Sequence, residues 1–182
     1  GGKTPLEAAS TPNLDQLARR GRTGIMYTVR KGVAPESDVA VISILGYDPF
    51  KYYTGRGPLE AYGSGLEMAD GNLALRCNFA TLGQGTTIVD RRAGRDLTTK
   101  DAEKLAETIR EKVKLTSHPA EFEFRSTVGH RAVLVIRSRR GKLSSKIGNT
   151  DPAYTRLEEL GVAEKEVNMV LKECVPLENS AE

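Results

Sequence analysis

Residues 121–137 read EFEFRSTVGHRAVLVIR, and this stretch decides the fold class of the second half of the chain. Glu121 to Thr127 and Arg131 to Arg137 are strand-like on either side of Val128-Gly129-His130, which predicts a β-hairpin turning there. Just upstream, Leu97 to Leu115 predicts an amphipathic helix. Ala102, Leu105, Ala106, Ile109 and Val113 share one face behind a Thr98/Thr99 cap. Further back, Leu75, Cys77, Phe79 and Thr81 alternate with Arg76, Asn78 and Ala80. Thr86 to Asp90 repeats the β pattern after Gly83-Gln84-Gly85, so a first hairpin is expected. Downstream, the loop Asn149-Thr150-Asp151-Pro152 leads to an expected last helix over about Val162 to Cys174. Two hairpins and two helices make an α+β domain, with its boundary near residue 72.

The first half has a different texture. Thirteen of the 18 glycines lie in residues 1–91, which suggests loops built around a ligand. Ser10-Thr11-Pro12 opens a helix with Leu14, Leu17 and Ala18 at helical spacing, closed by Gly21. Gly24 to Arg30 reads as a strand. Lys31 to Glu36 then delivers Ser37 to the head of a helix, Asp38 to Leu45, closed by Gly46. Residues 47–72 read as turns, with Gly-Arg-Gly-Pro at 55–58 and Gly-Ser-Gly at 63–65.

Composition narrows the class. The chain has 182 residues, 38% apolar and 28% charged, as a folded globular protein has. Its length suits one domain or two small ones. The longest apolar run, Val39 to Leu45, is broken by Ser43 and falls far short of a membrane span. No leader-like segment opens the chain, so a cytoplasmic location is expected. The start at Gly1 and the polar tail are expected of a piece of something longer. Cys77 and Cys174 cannot build a disulfide scaffold or a four-ligand zinc site. A net charge of +3 is too slight to imply nucleic acid.

Several constellations bear on chemistry. Gly1-Gly2-Lys3-Thr4 resembles the end of a phosphate-binding loop, but Pro5 follows at once and the segment reads as an exposed start. Gly55-Arg56-Gly57 lacks the third glycine of a dinucleotide fingerprint, because Glu60 stands there. Ser37 is the sharpest single candidate. A helix-head serine is most often a cap, yet Ala40 cannot complete a capping box, and a helix N-terminus suits a phosphoryl group. His118 and His130 are the two histidines, and neither has metal-ligand spacing. Residues 125–146 hold seven basic residues and no acidic one, which reads as a solvated strand edge. Asp90-Arg91-Arg92-Ala93-Gly94-Arg95 differs in kind: three arginines around a glycine turn suit a small anionic ligand, and His130-Arg131 at a hairpin tip could face it.

Taken together, these motifs resemble the archaeal-type cofactor-independent phosphoglycerate mutases of the alkaline phosphatase superfamily. The resemblance rests on Lys3 to Ala9 with Thr11 to Asp15, Ser37 to Ala40, Ile44 to Pro49, Tyr53 to Gly57 and Asn78 to Thr81. It continues through Asp90 to Arg95, His130 to Ala132 and Thr150 to Pro152. It implies interconversion of 3- and 2-phosphoglycerate through a phosphoserine, without 2,3-bisphosphoglycerate, with two divalent cations (manganese, magnesium, zinc or cobalt). Ser37 would be nucleophile and metal ligand, and Asp90 a proton shuttle. Arg91, Arg92, Arg95, His130 and Arg131 would bind substrate. Residues 1–72 would be part of an α/β, alkaline-phosphatase-like catalytic core, and 73–182 an inserted substrate-covering domain. A small phosphorylated partner is implied, with neither nucleic acid nor membrane, and a homo-oligomer stays open.

The family's strand ending in a metal-binding Asp and its Asp/His-rich second half have no counterpart here, so this chain alone is expected to be inactive. Glu36 stands where Gly is usual, and Val41 where His or Asn is expected. The loop 144–149 lacks two expected acidic residues. The rival reading is a non-catalytic anion-binding module of the same descent.

Overall fold

A computed structural model of the chain describes residues 2–33, 35–157, 160–163 and 169–177. The chain forms two compact units, Gly1–Tyr47 and Asp48–Glu182. The first holds α1 (Pro5–Ala8), α2 (Pro12–Arg20) and α3 (Ser37–Ile44). The second begins with α4 (Pro49–Tyr52) and α5 (Arg56–Gly63), followed by β1 (Leu73–Asn78), β2 (Thr81–Leu82) and β3 (Ile88–Asp90). Then come α6 (Thr99–Lys112), β4 (Ala120–Ser126), β5 (Arg131–Ser138), β6 (Tyr154–Leu157) and β7 (Leu160–Ala163). The protein is thus mixed α and β, with small antiparallel sheets.

The core of the second unit follows from the period of β5. This strand is central in the order β1-β5-β4, and both its faces are covered. Val133 and Val135 point to one side and meet Ala74 of β1, Ala61 of α5 and Leu66. Ala132 points to the other side, where it meets Phe124 of β4 and Ala106 of α6, with Leu134 packed against the same cluster. A strand buried on both faces reads as an unbroken apolar run, which is what Ala132 to Ile136 is. The predicted hairpin of β4 and β5 is present, with Phe124 opposite Leu134 and Ser126 opposite Ala132.

Two glycines make the α5 layer possible. Gly55 sits at φ 92° before the helix, a conformation that favours glycine. At Gly57 a Cβ would lie 1.9 Å from the Ala74 carbonyl oxygen, so only glycine lets the helix close on β1. Gly57 is therefore a packing device inside a helix that Gly55 leads into, in place of the turn expected over 47–72. The boundary expected near residue 72 falls inside the second unit, between α5 and the strand it covers.

Other expectations are corrected. β1 pairs with β5 and not with the strand at 86–90; the β3 partner is the short β2 instead. Residues 24–30 form no strand, and Ile25 is 95% exposed: a strand needs a hydrogen-bonded neighbour, and among the described residues none runs beside it. No helix occupies the described part of 162–174. Leu160–Ala163 is β7, and Met169 and Leu171 exchange backbone hydrogen bonds with Ile88 and Thr86. Residues 164–168 lie outside the described residues. Gly1-Gly2-Lys3-Thr4 leads into a short helix that the reading above omits, where Thr4 and Glu7 form a reciprocal capping box. Among the described residues no helix is long and apolar enough to cross a membrane.

Candidate active site

The arginine turn begins where β3 ends. Asp90 Oδ1 accepts a hydrogen bond from the Arg92 N–H at 2.7 Å, and the Arg95 N–H donates to the Arg92 carbonyl at 2.9 Å. Between them Ala93, Gly94 and Arg95 have φ of 45°, 71° and 62°. For the two non-glycine residues this backbone costs about 1–2 kcal/mol each. The reversed turn places Arg92 and Arg95 at the surface. A cleft of about 360 Å³ opens here, lined by Val89 through Arg92, Gly94, Arg95 and Met169.

The three arginines are not equivalent. Arg91 is half-buried and forks onto Asp151: Nε donates to Oδ1 at 2.8 Å and Nη2 to Oδ2 at 2.5 Å. Asp151 is a partner that sequence reading misses, sixty residues away from Arg91. Its signal was present in Thr150-Asp151-Pro152, quoted above without a role.

The β4–β5 tip carries His130 and Arg131. It is fixed by the Phe79 N–H donating to the His130 carbonyl at 2.7 Å and by the Gly129 N–H donating to Thr99 Oγ1 at 3.4 Å. Partial burial, then the guanidinium charges of Arg131, Arg92, Arg76 and Arg95, hold the His130 imidazole below its ordinary value. The charges of Arg92 and Arg95 are thus felt at the tip. The rest of the basic run mostly braces the fold. Arg125 donates to the Ser64 carbonyl, Arg137 to the Glu67 carbonyl, Arg139 pairs with Glu121 and Lys142 with Asp70.

Ser37 lies in the other unit. It is the first residue of α3, with Glu36 at the N-cap position, so it is not the cap that a helix-head serine usually is. It is exposed, at the end of a helix whose first N–H groups and dipole favour anions. His118 is exposed beside Ser117 and belongs to neither place. Among the described residues no three His, Cys, Asp or Glu side chains converge as a metal site. Cys77, packed against Phe124 and its neighbours, has its thiol pushed up to about 11 by burial, which keeps it protonated and unreactive.

A family model described as 2,3-bisphosphoglycerate-independent phosphoglycerate mutase matches residues 18–182. Curated relatives bear the same name. One from Aeropyrum pernix is 49% identical over 94% of this chain and 41% of its own length. One from Methanopyrus kandleri is 54% identical over 83% of this chain and 35% of its own. Among solved structures, the cofactor-independent phosphoglycerate mutase from Thermoplasma acidophilum is 40% identical with a TM-score of 0.55. That match covers 98% of this chain and 42% of the other. The chain therefore spans about two-fifths of the length of the relatives it matches.

Proposed function

The chain belongs to the 2,3-bisphosphoglycerate-independent phosphoglycerate mutases, and from that membership we propose that it carries the nucleophile and a substrate-binding surface of an enzyme interconverting 3- and 2-phosphoglycerate. The observation that carries the reading is the arginine turn: Arg92 and Arg95 present exposed guanidinium groups at an open cleft, and their charges reach His130 on the β4–β5 tip. A phosphoglycerate offers a phosphate and a carboxylate, and planar guanidinium forks suit both.

In this reading Arg92 and Arg95, with His130 and Arg131, hold the anionic groups. Asp90 at the end of β3 moves the proton between the two glycerate hydroxyls. Ser37 Oγ takes the phosphoryl group: the Oγ–P bond forms as the substrate O–P bond breaks. The hydroxyl proton passes to the departing glycerate oxygen, and the return step delivers the group to the neighbouring oxygen. The head of α3 favours the developing negative charge. Residues 73–182 act as the substrate-covering part and 1–72 as part of an α/β catalytic core, with α5 packed across that division onto β1, in a cytoplasmic enzyme.

The family resemblance also implies two divalent cations, manganese, magnesium, zinc or cobalt. The donors present do not fit that group, since Ser37 brings one hydroxyl and no cluster of carboxylates, imidazoles or thiols joins it among the described residues. The 182-residue chain with manganese, zinc or cobalt added should therefore show no turnover.

The test is Ser37→Ala in the full-length protein, followed by a coupled enolase assay. Turnover should vanish while circular dichroism stays unchanged. Normal turnover in that variant would remove Ser37 from the chemistry. A wild-type full-length protein that binds phosphoglycerate without turning it over would favour the anion-binding module instead.

A further inference from the structure

We propose that Asp151 is a positioning residue: by holding Arg91, it sets the direction in which Arg92 and Arg95 meet a phosphorylated ligand. The inference rests on the proposed substrate role of the arginine turn and deepens it. Arg91 and Asp151 form a bidentate pair whose side chains are 24% and 23% exposed. The pair occupies the Nε–Nη2 edge of Arg91 and fixes the plane of its guanidinium.

Asp151 is itself firmly mounted. Its N–H donates to Asn149 Oδ1 at 3.1 Å, and its Oδ1 accepts from the Ala153 N–H at 3.0 Å. Pro152 and Ala153 behind it are buried. The Lys172 N–H donates to the Thr150 carbonyl at 3.0 Å, and the residues just before Lys172 run beside β3. There the Ile88 N–H donates to the Met169 carbonyl at 2.7 Å and the Leu171 N–H to the Thr86 carbonyl at 3.0 Å. A closed ring of contacts thus runs from β3 through Arg91 and Asp151 to Lys172 and back to β3.

The turn has reason to need such a tie. Ala93 and Arg95 at positive φ are locally unfavourable, and a backbone in that state keeps its shape only when its surroundings hold it. Arginine suits the role because its fork fixes direction, which a lysine ammonium does not. The three arginines therefore divide the work, with Arg91 holding and Arg92 and Arg95 binding.

The sign of one substitution separates positioning from simple charge. Asp151→Asn removes a negative charge beside the cleft, so electrostatics alone predicts tighter binding of an anion. Positioning predicts weaker binding. The experiment measures KM and kcat for 3-phosphoglycerate on the full-length protein, well below each variant's melting temperature. Asp151→Asn and Arg91→Lys should each raise KM roughly tenfold, and the double variant should be no worse than either, because both break the same pair. An unchanged or lowered KM, or additive losses, would overturn the assignment. Arg91→Lys keeps the charge and serves if Asp151→Asn folds poorly. Arg92→Ala and Arg95→Ala run alongside. If both leave KM unchanged, the turn is not the substrate surface and both readings fall. If they raise KM while Asp151→Asn does not, only Asp151 loses its role.

Discussion

The two units bury apolar side chains very unequally. Of the twelve buried hydrophobic residues found among the described ones, only Val39 belongs to Gly1–Tyr47. Most of its other large apolar side chains lie open: Leu17 is 67% exposed, and Leu14, Met26, Tyr27, Ile44 and Leu45 are comparable. In the second unit, α5 and α6 cover opposite faces of the β1-β5-β4 sheet, and each layer closes a cluster. The lesson is that local signals suffice to make helices, while only layered packing makes a core. A capping box, Pro at the first turn and a terminal Gly organise the first unit residue by residue.

That contrast can be broken most sharply at Gly57. Gly57→Ala drives a Cβ into the Ala74 backbone and should cost more than about 3 kcal/mol, read as loss of the cooperative thermal transition. Phe124→Ala comes next. It empties a site packed edge-on against Phe79 at 6.0 Å, and urea unfolding should show a loss of about 3–4 kcal/mol. Leu17→Ser, in the first unit, should change unfolding by less than about 0.5 kcal/mol, since its side chain is already in water. A loss comparable to that of Phe124→Ala would erase the distinction between the units.

The smallest expected effect is on pH dependence. His130 has a folded pKa lowered from 6.5, so the unfolded chain takes up the proton first as pH falls. The contribution to stability is therefore complete above about 6.5 and declines as pH drops through the folded value. His130→Gln should flatten the melting temperature in that window. In NMR titrations of the wild type, 3-phosphoglycerate should move the His130 midpoint upward, as an anion offsets the surrounding guanidinium charges. A midpoint that ignores the ligand would place the anion elsewhere.

How much of this was legible depends on the range of the interaction. The β4–β5 hairpin is readable because its two strands are adjacent in sequence and turn at Gly129. The α6 helix is readable from its 3.6-residue period and its Thr98 cap, although Leu105 on the predicted face is 45% exposed. β1 pairs across more than fifty residues, and nothing local distinguishes β5 from the nearer β3 as its partner. α5 was hidden because Gly55, Gly57 and Pro58 read as turn residues until the approach to Ala74 supplies the reason for Gly57. The same holds at the site. The arginine turn stands out as a contiguous run, whereas Asp151 becomes visible only when the fold brings it to Arg91.

The turn at 93–95 also has a stereochemical consequence. Three successive residues trace a backbone of the opposite hand to the helices around them, so L-alanine at position 93 occupies the conformation natural to its mirror image. In a chain made by chemical synthesis, D-alanine at 93 would relax there, whereas L-proline is barred by its fixed negative φ. Asymmetry that elsewhere builds the fold is here worked against for three residues, beside the two arginines that reach outward.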